Sequence, residues 1–554
     1  MKITAKGFDE RRAAMLQAGA WQDKTIVDYL DQAVAAVPDK AAVVAYRVAG
    51  DERTELSYRR LNELATRLAA GLVGLGVGRG DVVACQLPNW WQLTLLSLAC
   101  ARIGAVINPL MPIFRERELR FMLGHAETRV FIIPKSYRSF DYPAMVANIR
   151  DDLPVLEHVL VVDGEGEDSF ERVLLDCAWE TEMDVQALFA ERQVGADDIA
   201  QMLYTSGTTG EPKGVLHTYN TLFSNVVPYA DRLGLNAEDR VMMASPLAHQ
   251  TGFLYGVLMP VYLQVTAVLQ DLWDPAYAVK VAYAEKPTFT MASTPFLADL
   301  IDIAPKYPGQ LDSLKVFVSA GAPIPGALVE KAAKVVNARV VSAWGMTENG
   351  AVTMTRLDDP VSRASSSDGI ALPWMEVEVV NDQHEPVAVG QEGNLLVRGA
   401  SLFVGYLKRP ELYQVDADGW FETGDLATKN AEGYIRITGR TKDVVIRGGE
   451  NIPVVELENL LYKHPVIAAV ALVGCPDPRL GERLCAYVTL HDGYESLSLE
   501  EVACYLSEQG VSRNYLPEYL EVMAGLPRTP SGKIQKFKLR ELAEQVQIAP
   551  AKRS

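Results

Sequence analysis

The sequence has few of the residues that form the disulfides of small secreted domains or bind a structural metal. Its 554 residues include six cysteines and seven histidines. The cysteines lie inside apolar runs without a Cys-x-x-Cys pair, and the histidines show no ligand spacing. We therefore expect neither disulfides nor a structural zinc site, which is typical of a protein from a reducing cytoplasm.

Positive charge and long apolar runs are also scarce. Lys and Arg number 53 against 71 Asp and Glu, a net charge of −18, which excludes a basic nucleic-acid scaffold and predicts no nucleic-acid partner. The most apolar stretch, 253–269, contains polar and helix-breaking residues and is shorter than the ~18–20 residues of a membrane-spanning helix. We expect it to be buried core, with no transmembrane segment. Residues 1–12 are mixed in charge and carry no secretory apolar run, so we expect a cytoplasmic location.

The composition that remains is that of a large globular protein. With 49% hydrophobic and 22% charged residues, the chain can bury an extensive core. Because one core stops growing beyond ~250–300 residues, this length predicts several domains. From residue 80 onward, apolar runs such as 82–87, 130–134 and 316–319 alternate with helical patterns, which predicts a mostly parallel α/β sheet. A helix is predicted after the cap residue Ser57, from the spacing of Leu61, Leu64, Leu68 and Leu72.

The pattern changes twice towards the C-terminus. After about Gly369 it consists of strands and turns, which predicts a small β subdomain, and beyond 439–442 an α/β pattern returns for roughly 110 residues, a size typical of a separate domain. The predicted fold class is therefore α/β. We expect a large N-terminal domain, 1–441, made of α/β subdomains and the β subdomain, and a small mobile α+β C-terminal domain, 442–554.

The strongest local motif is the segment 204–214, which directly follows the apolar run 199–203. Its glycines allow a tight backbone whose N–H groups turn inward, its hydroxyls can donate to phosphate oxygens, and Lys213 adds a positive charge. The spacing differs from a Walker A loop and lacks the hydroxyl after the lysine. We interpret the segment as a phosphate-binding loop of another type, since a surface turn is the weaker alternative after a buried strand.

Two further motifs follow predicted strands. Trp344 to Glu348 comes after 339–343 and offers an aromatic face, a hydroxyl on Thr347 and a carboxylate on Glu348 that could hold magnesium. In open α/β sheets this edge is where ligands bind. The segment 319–323 is, by itself, only a turn after a strand.

Two polar groupings complete the set. Asp425, after Gly424, can accept two hydroxyl hydrogen bonds, and Arg440 can donate to the same diol, a pattern that suits a ribose. The segment 527–533 has prolines and a glycine that fix an exposed loop presenting Lys533. Taken alone, Asp425 is better explained as a turn cap and Lys533 as a solvated lysine.

Five motifs, 204–214, 344–348, 423–425, 439–443 and 530–533, together resemble the adenylate-forming enzymes, which comprise acyl-CoA synthetases, firefly luciferase and peptide-synthetase adenylation domains. They occur in the family's order and approximate spacing, and the resemblance runs from about residue 25 to 545. The segments 447–451 and 480–483 are most similar to bacterial short- and medium-chain acyl-CoA synthetases and cyclohexanecarboxylate-CoA ligases. One departure is Trp344, where many relatives have Tyr; either ring can stack.

The resemblance implies a role for each matching position. It implies an ATP site formed by Thr205, Ser206, Gly207, Thr208, Thr209, Gly210, Lys213, Gly321, Ala322, Pro323, Trp344, Gly345, Met346, Thr347, Asp425 and Arg440. Lys533, Thr347 and Glu348 are the implied catalytic residues, with Glu348 also the magnesium ligand. The implied acyl pocket contains His249, Phe253 and Gly345, the pantetheine arm of coenzyme A lies near Gly448 and Gly449, and Lys442 is the hinge.

The function implied is ATP-dependent ligation of a carboxylic acid to coenzyme A, with Mg²⁺ as cofactor and an acyl-adenylate intermediate. No Asp or Glu lies between Ser245 and Tyr262, the stretch that in relatives lines the acyl pocket, so we expect an acid uncharged beyond its carboxylate. Gly345 stands where acetate-specific relatives have a tryptophan. A short- or medium-chain or alicyclic acid larger than acetate is therefore expected.

Two alternatives remain open at this stage. The chain could adenylate an acid and load a carrier protein, although the sequence continues for only twenty-one residues after Lys533 with no fused carrier. It could also be a non-catalytic nucleotide-binding protein, which the joint presence of Lys533, Glu348 and Asp425 argues against. The sequence leaves a homo-oligomer open.

Overall fold

The fold is described from a computed structural model of the chain. It describes residues 7–192, 194–205, 212–321, 324, 326–336, 338–441, 445–447, 450–452, 454–477, 480–509, 511, 515–529 and 532–546. Four larger β-sheets organise these residues, and the α-helices pack around them. The helices are Phe8–Gln17, Ile26–Ala36, Tyr58–Gly74, Trp91–Ile103, Glu116–His125, Tyr142–Ala147, Trp179–Glu182, Val185–Arg192, Tyr219–Arg232, Gln250–Phe253, Met259–Leu263, Pro275–Glu285, Thr294–Ile303, Gly326–Val335, Arg363–Ser366, Val454–Leu461, Leu499–Glu508 and Lys536–Ala543.

Two mostly parallel sheets form the N-terminal part. The nine-stranded sheet has, in spatial order, the strands Ile370–Ala371, Gly350–Met354, Arg339–Met346, Val316–Ala320, Phe289–Ala292, Arg240–Met243, Thr266–Gln270, Ala41–Arg47 and Glu52–Ser57. The six-stranded sheet has Lys213–Thr218, Ile199–Thr205, Val106–Pro109, Val82–Cys85, Thr128–Pro134 and His158–Val162. A two-stranded hairpin, Ser136–Tyr137 with Phe140–Asp141, lies beside them.

The remaining two sheets match the predicted change of pattern along the chain. An antiparallel sheet of Met375–Val380, Glu392–Gly399, Phe421–Lys429 and Ile435–Arg440 forms the small β subdomain. The C-terminal sheet contains Glu450–Ile452, Val445–Arg447, Gly481–Leu490 and Ile467–Asp477, with Tyr519–Val522 paired to Gly481–Leu490. The expected α/β architecture, with a large N-terminal and a small C-terminal part, is therefore confirmed.

Local sequence chemistry explains the helix that was placed from the sequence. The Ser57 side chain accepts a hydrogen bond from the Arg60 backbone N–H and caps Tyr58–Gly74, which satisfies a donor that the first helical turn leaves without a partner. The four leucines of its apolar stripe are at most 5% exposed and join the main hydrophobic core. This burial fixes the face that the helix presents to the sheets.

The apolar stretch 253–269 is core, as expected. It forms the end of Gln250–Phe253, a turn of π-helix at Leu254–Leu258, the helix Met259–Leu263 and Thr266–Gln270, an interior strand of the nine-stranded sheet. Across the part of the chain that the structure describes, no helix is long and apolar enough to cross a membrane.

Candidate active site

One large cleft collects nearly all the site residues that the sequence predicts and the structure describes. It has a volume of about 2790 Å³ and lies where the nine-stranded sheet, the β subdomain and the C-terminal segment meet. Twelve predicted residues line it: Thr205, Lys213, His249, Gly321, Trp344, Gly345, Met346, Thr347, Glu348, Asp425, Arg440 and Lys533. Residues far apart in the sequence therefore share one space.

Several predicted site residues lie outside the described residues. They are Ser206, Gly207, Thr208, Thr209, Gly210, Ala322, Pro323, Lys442, Gly448 and Gly449. Their flanks are described: Thr205 ends the strand Ile199–Thr205, and Lys213 begins the antiparallel partner Lys213–Thr218. Thr205 and Lys213 are direct neighbours in that pairing, and both line the cleft.

Asp425 is the polar centre of the cleft wall. It lies opposite Arg440 in the antiparallel pairing of Phe421–Lys429 with Ile435–Arg440, and Arg440 Nε donates to its Oδ1 at 2.7 Å. The indole Nε1 of Trp344 donates to Oδ2 at 2.9 Å. The residue Asp425 is 3% exposed, so the two donors compensate a carboxylate that has lost most of its water.

Glu348 is a buried carboxylate in the turn after the strand Arg339–Met346. Tyr406 donates its hydroxyl to Glu348 Oε1 at 2.8 Å, and the Lys213 ammonium lies 5.1 Å from the Tyr406 ring centroid. Burial raises the pKa of Glu348, while the hydrogen bond from Tyr406 and the positive charges of Lys213 and Arg440 oppose that rise. The carboxylate is thus held in place at the cleft surface by a donor on one oxygen.

His217 supports the turn that carries Glu348. Its Nε2 lies 2.8 Å from the carbonyl oxygen of Thr347 and its Nδ1 lies 3.0 Å from Oγ1 of Thr221. Burial lowers the pKa of His217 to about 4, so the ring is neutral at pH 7. Since a carbonyl can only accept, the ring proton is assigned to Nε2, and Nδ1 accepts from the Thr221 hydroxyl.

Lys533 reaches the cleft from the C-terminal segment. A short turn presents it: the Thr529 N–H donates to the Lys533 carbonyl at 2.7 Å, and the Lys533 N–H donates to Thr529 Oγ1 at 3.0 Å. Gly532 has a φ of 84°, and a Cβ there would lie 2.8 Å from Ser293 Oγ. The turn therefore lies close to Ser293, just before the helix Thr294–Ile303, and the positive φ at position 532 favours a glycine there.

His249 links this lysine to the predicted acyl pocket. It caps the helix Gln250–Phe253 by accepting from the Thr251 N–H at 3.3 Å. Burial, and then the positive charge of Lys533, lower the pKa of His249 to about 4. A neutral imidazole therefore lies within the electrostatic reach of the lysine on the cleft wall.

The structure places Phe253 differently from the prediction. Phe253 is 2% exposed and packs into the main hydrophobic core. The residues that line the cleft here are Gln250, Thr251, Leu254 and Tyr255. At about 100° per residue, those four fall on one side of the helical turn and Phe253 falls on the other. The apolar character of Phe253 could not reveal which side it takes.

Gly345 lines the cleft, but the reason for its missing side chain differs from the expectation. A Cβ at position 345 would lie 1.8 Å from the carbonyl oxygen of Gly350 and 2.7 Å from the Cα of Ala351. The register of the pairing with the antiparallel strand Gly350–Met354 shifts between Trp344 and Gly345. At this shift the backbone of the partner strand lies close to Gly345. The glycine is required by this backbone approach, so its presence is not evidence for a deep acyl pocket.

The sequence analysis missed the residues that hold the motifs in place. Two of these residues are His217 and Tyr406, described above. A third is Asn225, which donates to the Asn349 carbonyl at 3.3 Å and to the Ala351 carbonyl at 2.7 Å. A histidine inside the apolar strand Lys213–Thr218 and an asparagine inside a buried helix were the available clues, because buried polar groups need partners.

Comparison with known proteins identifies the family of the chain. The sequence profile of the AMP-binding enzyme family matches residues 30–407, and that of the AMP-binding enzyme C-terminal domain matches residues 456–533. The medium-chain fatty-acid–CoA ligase of Escherichia coli (strain K12) is 37% identical over 547 residues, covering 98% of this chain and 94% of that protein.

Two other relatives widen the comparison. A salicylyl-CoA synthase / salicylate adenylyltransferase of Streptomyces sp. is 33% identical, with 98% of each chain covered. The crystal structure of ATP-bound MatB from Rhodopseudomonas palustris is 26% identical, with a TM-score of 0.79 over 94% of this chain and 99% of that one.

The chain belongs to the AMP-binding enzyme family. Within that family it is an AMP-forming acyl-CoA synthetase: it joins a carboxylic acid to coenzyme A at the expense of ATP, by way of an acyl-adenylate.

The contact of Gly345 with the opposite strand gives a first testable prediction. Gly345→Ala should lower the free energy of unfolding by about 1–3 kcal/mol or more, because the added Cβ meets backbone that cannot move without breaking the strand pairing. Denaturant unfolding of both proteins measures the difference. The matched control is Gly195→Ala, since a Cβ there has no neighbouring heavy atom within 4 Å. A Gly345→Ala protein as stable as the parent would contradict the close approach.

The buried His217 and the half-buried His249 predict a pH dependence of stability. The folded-state pKa of His217 and of His249 is about 4, against an ordinary 6.5, so between these values the unfolded chain binds more protons than the folded one. Stability should therefore fall as the pH is lowered through that window. His217→Gln should reduce the slope of the unfolding free energy against pH, by an amount that corresponds to about one bound proton at most. Thermal unfolding from pH 7 to 4.5 tests the slope, with exposed His384→Gln as control; parallel slopes for all three proteins would contradict the assignment.

Proposed function

We propose that the chain activates a medium-chain fatty acid and that the predicted site residues carry out the chemistry. The observation that carries the proposal is the position of Lys533, which the C-terminal segment brings into the cleft that also contains Glu348 and the pair of Asp425 with Arg440. Lys533 brings a positive charge from the C-terminal segment to a proposed nucleotide-binding surface of the N-terminal part. This arrangement suits a reaction in which negative charge develops between the nucleotide and the lysine.

The first half-reaction follows from this arrangement. The substrate carboxylate oxygen attacks the α-phosphorus of ATP, a phosphorus–oxygen bond forms, and pyrophosphate leaves with the electron pair of the broken bond. Lys533 stabilises the negative charge that builds on the phosphate and carboxylate oxygens. Asp425 accepts the ribose hydroxyls while Arg440 and Trp344 keep its carboxylate oriented. Catalysis is by positioning and electrostatics, without a covalent enzyme intermediate.

Magnesium is the proposed cofactor of this step, and the residues present fit it. Mg²⁺ prefers oxygen ligands and is commonly held by one or two carboxylates together with substrate phosphates. Glu348 supplies such a carboxylate at the cleft surface, with one oxygen fixed by Tyr406. Within the residues that the structure describes, no three potential ligands cluster as a protein-only metal site. When bound, the ion would neutralise charge on the phosphates; Glu348 would hold it.

The second half-reaction requires the thiol of coenzyme A to attack the same carbonyl and expel AMP. A pantetheine arm and the Lys533 side chain would compete for one space, so we propose that the C-terminal domain, 442–554, turns between the steps. Lys442 is the proposed pivot, and Gly448 and Gly449 the proposed approach for the pantetheine; these three assignments derive from the sequence resemblance.

The chemistry of the cleft near His249 supports an uncharged acyl chain. Leu254, Tyr255 and Met291 line this part of the cleft, and the sequence from Ser245 to Tyr262 contains no acidic residue. An apolar wall without a carboxylate favours a hydrocarbon chain over an amino acid. The 37% identity to a medium-chain fatty-acid–CoA ligase supports the same class. The cysteines lie inside apolar runs without a Cys-x-x-Cys pair, which favours a reducing compartment, and the cytoplasm is the proposed location.

Lys533→Ala tests the proposed role of the lysine. It should slow acyl-adenylate formation by ~10²–10³ while thioester formation from supplied acyl-adenylate continues, because the charge is needed only at the first transition state. Pyrophosphate exchange measures the first step, and acyl-CoA release from synthetic acyl-adenylate measures the second. Lys538→Ala removes a lysine from the same stretch of cleft wall and should change neither. Equal losses in both half-reactions would refute the assignment.

The proposed acid class predicts a substrate profile. The value of kcat/KM should rise from acetate to a maximum among medium-chain acids such as octanoate, because each added methylene buries apolar surface worth ~0.8 kcal/mol. The panel should run from acetate to decanoate and include cyclohexanecarboxylate and salicylate, each with and without coenzyme A. A maximum at acetate or salicylate would contradict the proposal, and adenylation of an acid without transfer to coenzyme A would favour a carrier protein as acceptor.

A further inference from the structure

The helix Phe8–Gln17 precedes the part of the chain that matches the family profile, and it carries an arginine that points into the protein. Arg11 Nη1 donates to the carbonyl of Phe403 at 3.2 Å. Its Nη2 donates to the carbonyls of Gly399 and Ala400, each at 3.1 Å, and also to that of Leu402. One guanidinium therefore gathers four carbonyl groups of a single loop, 399–403.

This loop is bonded directly to the turn that carries Glu348. The Phe403 N–H donates to the Glu348 carbonyl at 2.7 Å, and Ser401 Oγ donates to the Asn349 carbonyl at 2.7 Å. Three residues beyond the loop, Tyr406 holds the Glu348 carboxylate. The position of both the backbone and the side chain of Glu348 thus depends on where the loop lies.

A second side chain from the same N-terminal segment reinforces the contact. The Trp21 indole donates to the Ala400 carbonyl at 3.0 Å, and the Arg11 guanidinium lies 5.3 Å from the Trp21 ring centroid. Trp21 is 2% exposed and packs against Ala400. Arg12, the next residue, instead pairs with Asp197 and Asp23 and makes none of these loop contacts.

We propose that Arg11 is a positioning residue for adenylation: it fixes the loop 399–403 and through it sets the position of Glu348. The inference rests on the proposed role of Glu348 as the magnesium-holding carboxylate. A planar guanidinium suits the task because its donors form a rigid fork that can satisfy several carbonyls at once, which a lysine ammonium does not reproduce. The N-terminal helix is therefore part of the active-site scaffold.

Arg11→Met tests the proposal by hydrogen exchange and by magnesium dependence. In the full-length protein, the Phe403 amide and peptides spanning 397–407 should exchange faster than in the parent, while peptides of the C-terminal sheet should not change. The Mg²⁺ concentration for half-maximal pyrophosphate exchange should rise about 10-fold, because displacement of a binding group by a fraction of an ångström weakens its interaction steeply. The KM for the fatty acid should stay unchanged. Arg11→Lys should restore only part of the loss.

The matched control is Arg12→Met, which removes the two ion pairs of the next residue in the same helix and should leave both the loop exchange and the magnesium dependence at the parental values. Parental exchange across 397–407 in a folded Arg11→Met protein overturns the inference. If Arg11→Met does not fold, Trp21→Phe, which removes one donor to Ala400, should still speed exchange in the loop, and its failure to do so also overturns it. Glu348→Gln tests the magnesium role of Glu348 separately from the positioning role of Arg11. If Glu348→Gln leaves the magnesium dependence unchanged, the proposed role of Glu348 is refuted, independently of the result for Arg11→Met.

Discussion

The rest of the site depends on the hydrogen bonds that the buried carboxylate of Asp425 accepts. It receives an indole N–H from the nine-stranded sheet through Trp344 and a guanidinium N–H from its own sheet through Arg440. A buried carboxylate without such donors would be strongly destabilised, so the two sheets are held in one relative position by the need to satisfy it.

Much of this organisation could be predicted from the sequence. The alternation of apolar runs with helical patterns predicted the parallel sheets, and the absence of helical patterns after Gly369 predicted a small β subdomain, which the structure forms from Met375 to Arg440. Both inferences use local periodicity, which reflects burial of one face. The motif residues were predicted through resemblance, and the structure brings the described ones into a single cleft, apart from Phe253.

What could not be predicted depends on contacts between distant parts of the chain. The need for glycine at position 345 comes from the carbonyl of Gly350, which only the strand register reveals. The partners of His217 and Arg11 are likewise backbone carbonyls, 130 residues away for His217 and about 390 away for Arg11. A carbonyl has no sequence signature, since every residue carries one. Such contacts become visible only once the topology is known.

The close seat of Gly532 against Ser293 has a consequence for the energetics of turnover. A glycine brings no side chain to interlock with the helix Thr294–Ile303, so the contact gains close approach without the knob-and-hole packing that makes interfaces slow to separate. Under the proposed turning of the C-terminal domain, the neighbouring Lys533 would be placed accurately and withdrawn at low cost. The proposed movement thus requires no side chain of residue 532 to leave a packed interface, because at this contact only the backbone of Gly532 faces the side chains of Ser293 and Pro295.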